Sequence, residues 1–344
     1  MTIAAVADLG ERRPIVVATP SGADAERLER ELTTLLGSGS VALFPAWETL
    51  PFERVSPTIE TMGRRNRVLW SLSANPPDVV VAPIRALAQR LAPGSGGDPL
   101  VIGVGDVVDL DKVVRDLVSM GYRRDVQVEH RGDVAVRGSI LDIYPSTADG
   151  PVRIDLWGDE VDRMSEFSVS DQRSTVAISE VEVFACREFL LDDERQERAR
   201  SLVGREPWGR EHWERLGAGE TFDGMESWLP WLAEEEDVDE VLFDRVGSDA
   251  LVVLIEPSRA RDRAGDILAE EADLAASLSK TWGVDAGNGF PHLHVEFDRL
   301  LARTDAPLLS LTAIPENPDV PVLAASGWDP GSGRAADPVQ TVND

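Results

Sequence analysis

The chain has 344 residues, enough for one large core or two to three ordinary ones, and 42% apolar with 28% charged content is globular in character. A formal charge of −28 argues against general nucleic-acid binding, and no run approaches the roughly 18 apolar residues of a membrane span. The single Cys186 excludes an intramolecular disulfide framework and fits a reducing cytoplasm, and the N-terminus lacks a signal-peptide layout.

An α/β pattern opens the chain. Residues 15–18 form a compact apolar strand, and the helix after it has a capping box at Ser21 and Asp24, a stripe of Leu28, Leu32, Leu35 and Leu36, and a stop at Gly37. A second strand covers 41–44, followed by an irregular segment with Trp47 and Phe52. The next helix, about 57–72, carries Arg64, Arg65 and Arg67, whose solvated-face reading outweighs phosphate contact. Residues 78–82 read as a parallel strand buried on both faces, and 83–91 begin another helix. The Gly94 to Gly97 run marks a domain boundary, after which a strand at 100–104 and a helix at about 110–120 lead into the centre.

The centre is a series of antiparallel strands. β-branched runs at 126–128, 134–136, 140–143, 152–156 and 166–169 alternate with turns at 131–133, 149–151 and 158–159. From 152 to 157 the period is two, with Val152, Ile154 and Leu156 on one face and Arg153, Asp155 and Trp157 on the other. Two readings of Trp157 stand open. It folds over the sheet edge and covers a minor second core, or it belongs to a protein-binding patch, where aromatic and Arg side chains supply most hot spots.

After Cys186 the chain turns helical and acidic, with a helix at 191–202 and with Trp208, Trp213, Trp228 and Trp231 spaced along it; the acidic run 234–237 reads as a solvated turn. Strands are expected at 241–243, 250–255 and 308–311, and a helix at 258–278. His292 and His294 alternate on an apparent strand in a structural role. The Gly-, Ser-, Pro- and Asp-rich tail from 327 reads as disordered. α/β character thus brackets the antiparallel centre, and the economical topology is one α/β layer interrupted by an insertion.

Motifs for chemistry are missing. There is no G-x-x-x-x-G-K-[ST] loop, no helical histidine pair, no Cys pair and no G-x-S-x-G elbow, and the four histidines show no metal spacing. In so acidic a chain, carboxylate pairs carry no diagnostic weight.

The segments Arg137-Gly138-Ser139-Ile140-Leu141-Asp142-Ile143-Tyr144-Pro145 and Val152-Arg153-Ile154-Asp155-Leu156-Trp157-Gly158-Asp159-Glu160-Val161-Asp162 resemble the family of the excision-repair protein UvrB and its relative Mfd, the transcription-repair coupling factor. The Phe44 to Phe52 segment and Asp171-Gln172-Arg173-Ser174 favour the Mfd branch, and the likeness spans 14–323. The resemblance implies an α/β fold: a degenerate, helicase-like open-sheet domain split into 1–97 and 187–325, a small α+β antiparallel-sheet insertion at 98–186, and a tail at 326–344. It also implies that the insertion docks UvrA through Arg137, Arg153 and Trp157; read as exposed groups, each is expected to be truncated with the fold nearly intact, and Arg64→Ala is expected to leave binding unchanged. UvrB has a phosphate loop ahead of the strand matching 15–18 and a long Tyr-rich hairpin that grips damaged DNA. Here the chain starts shortly before that strand and Val55-Ser56-Pro57 runs almost straight into the next helix. The implication is a non-catalytic cytoplasmic fragment with no cofactor of its own. ATP and Mg, and contacts with RNA polymerase and DNA, belong to domains outside this chain. Two other classes are weighed: an ATP-dependent helicase-like enzyme, which requires a phosphate loop, and a DNA-binding module, which requires a basic groove.

Overall fold

The computed structural model describes residues 2–50, 53–232, 240–283 and 290–313. Helix α1 (Thr2–Leu9) precedes β1 (Ile15–Thr19), α2 (Gly22–Leu36), β2 (Val41–Leu43), α3 (Ile59–Ala74), β3 (Val79–Pro83) and α4 (Ile84–Ala88). Next come β4 (Leu100–Gly103), α5 (Leu110–Ser119), β5 (Arg123–Arg124), β6 (Asp133–Arg137), β7 (Ile140–Ile143), β8 (Val152–Trp157), β9 (Glu160–Phe167), β10 (Ser174–Ile178) and β11 (Glu180–Val183). The last set is α6 (Asp193–Arg205), α7 (Arg210–Gly217), α8 (Leu229–Leu232), β12 (Leu251–Ile255), α9 (Pro257–Trp282), α10 (Phe297–Leu301) and β13 (Leu308–Leu311). The acidic run 234–237 and the tail from 327 lie outside the described residues.

β1 and β3 are apolar almost throughout because both their faces are covered. They sit inside a five-stranded parallel sheet of order β13-β12-β1-β3-β2. Strands from before residue 84 and after residue 250 therefore share one sheet, with Ile15 paired to Leu251 on one side and to Val79 on the other. Ser21 caps α2 by accepting the Asp24 N–H, as its sequence indicates. Leu32 is buried and Leu28 and Leu36 pack beside it, but Leu35 points to solvent because it falls off the stripe that faces the sheet. Residues 241–243 are not a strand. Leu242–Arg245 form a 3-10 turn, fixed where the Asp244 carboxylate accepts the Val241 N–H, so that Leu242 and Phe243 both enter the core. Helix α4 ends at Ala88, well short of residue 91, since Gln89 extends to bridge His294. That bridge is the one strand-like feature of 292–294.

The second sheet has order β10-β9-β8-β7-β6-β5, an antiparallel meander from β6 to β10. The chain enters and leaves this region through one two-stranded ladder, β4 against β11, pairing Leu100 with Val183 and Gly103 with Glu180. Val134, Leu141, Val152, Ile154 and Leu156 pack beneath it on Val113, Val114 and Leu117 of α5. A bulge opposite Asp155 and Leu156 makes Asp162 an extra residue in β9, which turns both Val161 and Met164 toward this core. Residues 126–128 are not a strand. The turn there exposes Val126 and buries Val128 on the other face of the sheet. The strand expected at 166–169 is the end of β9, and β10 was not foreseen.

A further core is aromatic. Trp213, Trp228 and Trp231 build an aromatic cluster with Leu202 and Leu216. Of the α3 arginines, Arg64 and Arg67 are exposed but Arg65 is fully buried, correcting the solvated-face reading. It pairs with buried Glu188 just beyond β11, donates to the Pro45 carbonyl and lies 4.1 Å from the Phe44 ring centroid. Gly63 of α3 packs directly on Ser146 of the second region.

Candidate functional site

In β-ladders directly paired residues share a face, so the outer face of the six-stranded sheet can be assembled row by row. One row runs Ala135, Asp142, Arg153, Ser165, and the next runs Arg137, Ile140, Asp155, Arg163. A third row joins Trp157 to Glu160 and, through an isolated bridge, to Val107. One end of this face is closed by a small cluster of Val128, Ala135 and Phe167 with Tyr144 against it. Trp157 lies at the other end, outside that cluster.

Trp157 is 83% exposed, which removes the reading in which it covers a minor core. An indole of about 200 Å² left largely in water forgoes on the order of 4 kcal/mol of burial. Exposed Val107, across Glu160 in the same row, extends the apolar area.

The two arginines are less free. Asp142 is fully buried in β7 and accepts from Arg153 Nε at 2.7 Å, from Arg153 Nη2 at 2.9 Å, and from Arg137 Nη2. Arg153 also donates to the Gln172 carbonyl at 2.9 Å and lies 4.6 Å from the Phe167 ring centroid, which leaves its side chain only 13% exposed. The hydrogen bonds that Arg153 donates to Asp142 raise its pKa above the ordinary value, outweighing burial. Arg137 keeps 42% of its side chain in solvent. The structure thus gathers Arg137 and Arg153 on one carboxylate, but it contradicts the expectation that all three residues are free surface groups. Arg153 is part of the fold.

Asp142 and Val107 were missed by sequence reasoning. Asp142 did leave a signal, a lone carboxylate between Leu141 and Ile143 in a strand whose neighbours are apolar. Val107 left none, because a single bridge far upstream in sequence places it. Among the described residues, no group of three potential metal ligands comes together.

Residues 100–189 match the UvrB interaction domain. The chain is 38% identical over 297 residues to the transcription-repair-coupling factor of Mycobacterium bovis, covering 81% of this chain and 24% of that protein. It is 34% identical over 267 residues to the one from Haemophilus influenzae (75% and 23%) and 31% identical over 241 residues to the one from Escherichia coli (67% and 21%). The chain therefore matches about a quarter of the length of these curated relatives.

Proposed function

We propose, on the premise that this chain belongs to the transcription-repair-coupling factor family and carries a UvrB interaction domain, that it is a docking module for UvrA without catalysis of its own. The outer face of the six-stranded sheet meets UvrA, with Trp157 as anchor and Arg137 and Arg153 as flanking guanidiniums. Docking brings UvrA to a stalled RNA polymerase for excision repair of the transcribed strand, in the cytoplasm. Domains outside this chain hold the polymerase and DNA and use ATP and Mg. No helix among the described residues is long and apolar enough to cross a membrane.

The observation that carries this reading is an exposed Trp on the same sheet face as two arginines anchored on one buried carboxylate. Rigid aromatics and guanidinium forks dominate interface energetics, and here the protein holds them ready. The absence of catalysis is supported at the β1–α2 turn, where Ser21 Oγ donates to the Asp24 carboxylate at 2.7 Å. An acidic side chain sits where a strand–loop–helix phosphate site needs free N–H donors.

Calorimetry with purified UvrA tests the docking face. Trp157→Ala is expected to weaken binding by about 2 kcal/mol or more, roughly thirtyfold, while melting stays within about 0.5 kcal/mol of the parent. Arg64→Ala, whose side chain pairs with Glu60 on the exposed face of α3, is expected to bind as the parent does. A folded Trp157→Ala with unchanged affinity moves the docking surface elsewhere.

A further inference from the structure

The row that carries Trp157 runs on past the edge of β9. Trp157 pairs with Glu160, and Glu160 bridges in turn to Val107, in the loop that follows β4. Paired residues share a face, so all three lie on the outer face of the sheet. With neighbouring strands about 4.8 Å apart, Trp157 and Val107 stand roughly 10 Å from one another with Glu160 between them. The loop is fixed in place. The Gly105 N–H donates to the Val161 carbonyl, the Val161 N–H to the Asp106 carbonyl and the Val108 N–H to the Asp159 carbonyl, each at 2.8 Å. Val107 is thereby held against the β8–β9 hairpin, yet its side chain stays 78% exposed. Apolar side chains exposed singly are ordinary on any protein, but a Trp and a Val both this exposed and both pinned in one row form a patch.

Glu160 gives that row its charge. It is exposed and forms no ion pair among the described residues, because Arg163, the arginine of the neighbouring row, is taken by Asp155 at 2.8 Å. Asp159 in the hairpin turn and Asp162 at the bulge are exposed too and add to the same sign. Arg137 and Arg153, in contrast, share the single Asp142 carboxylate, which leaves one positive charge in excess. The face is therefore positive about Asp142 and negative about Glu160.

We infer that Val107 and Glu160 are contact residues beside Trp157, and that the UvrA surface opposite them offers two apolar depressions flanking a lysine or arginine. The inference rests on docking at this face. The opposite excess charges about Asp142 and Glu160 then admit one orientation of UvrA across the sheet, since the reversed one sets like charges together.

Calorimetry of the whole chain with purified UvrA tests this, with the melting temperature followed for every variant. Val107→Asp is expected to weaken binding at least about fivefold and Glu160→Lys at least about tenfold, both melting within about 2 °C of the parent. The milder Val107→Ser and Glu160→Gln carry the same test, with losses of about twofold or more, should a charged replacement not fold. Glu31→Lys, the same change of charge at an exposed position of α2, is expected to stay within about twofold of the parent. The sign at Glu160 is decisive. A UvrA surface that meets this face with acidic groups alone would bind Glu160→Lys more tightly than the parent, and that result overturns the inference. So does a weakened Trp157→Ala alongside a Val107→Asp or Glu160→Lys that binds as Glu31→Lys does, which leaves the docking reading standing. A folded Trp157→Ala with unchanged affinity removes the docking reading and this inference with it.

Discussion

Truncating Arg153 removes two of the three charge-assisted bonds that reach the Asp142 carboxylate, which has no access to water. Leaving a buried charge short of partners costs more than the pair contributes, so Arg153→Ala is expected to destabilise by about 3 kcal/mol. Arg137→Ala, at a half-exposed partner, is expected to cost no more than about 1 kcal/mol. Urea titration of the two variants checks the ordering, and loss of UvrA affinity in Arg153→Ala is informative only on the folded fraction. Period-two reading put Arg153 and Trp157 on one face correctly, but it does not distinguish an arginine paired beneath a loop from one in water. The difference depends on Asp142 one strand away. A second residue-scale expectation concerns His294. Burial, against the pull of Glu271, holds it below its ordinary pKa near 6.5, with Arg85 and Arg65 adding to the depression. The unfolded chain then binds the proton more readily, so this contribution is complete above about pH 6.5 and is lost as pH falls toward the folded value. Half-buried His212, depressed chiefly by burial, acts in the same direction. Melting temperature is expected to fall between pH 7.5 and 5.5, with a shallower slope in His294→Asn.

Among the elements, α3 carries a conflict between local propensity and packing. Gly in a helix interior costs about 1 kcal/mol relative to Ala, so Gly63→Ala should stabilise on propensity alone. A Cβ there would lie 2.5 Å from Ser146 Oγ and 2.6 Å from its Cβ. Ser146 cannot move aside, since its hydroxyl donates to the Phe184 carbonyl and its N–H to the Tyr122 hydroxyl. Gly63→Ala is therefore expected to destabilise by about 1–3 kcal/mol. Gly265→Ala, at an exposed position of α9 with nothing within 4 Å, is expected to stabilise by up to about 1 kcal/mol. Opposite shifts in melting temperature for one substitution in two helices check this directly. Elements with a strong period or full burial, such as β1, β3, β8 and α5, were legible in the sequence. The segments at 126–128 and 241–243 were not, because a short apolar run has no length to separate strand from turn, and a carboxylate cap or a neighbouring sheet face decides it.

At the level of the whole molecule, five strands drawn from both ends of the chain share a sheet, while residues between β4 and β11 build their own. A fragment of residues 100–186 is expected to fold alone, since its core of α5 and the meander is internal and Tyr122 ties to the Phe184 carbonyl and Ser146. Residues 1–97 are not expected to fold alone, because β1 would lose the whole ladder it makes with β12. Circular dichroism on the two fragments checks the pair, and cooperative unfolding of 1–97 alone would contradict it.

The placement of β1 between β3 and β12 also sets a clock. A ribosome adding roughly 5–20 residues per second finishes β1 on the order of 10–50 s before β12 emerges. In that interval the antiparallel region has every strand it needs and can close, while one edge of β1, with Val16 and Val17 on it, stays open to any other extended segment. The face proposed for docking is thus complete before the five-stranded sheet, and the nascent chain is expected to depend most on chaperones through the stretch of synthesis that separates the two halves of that sheet.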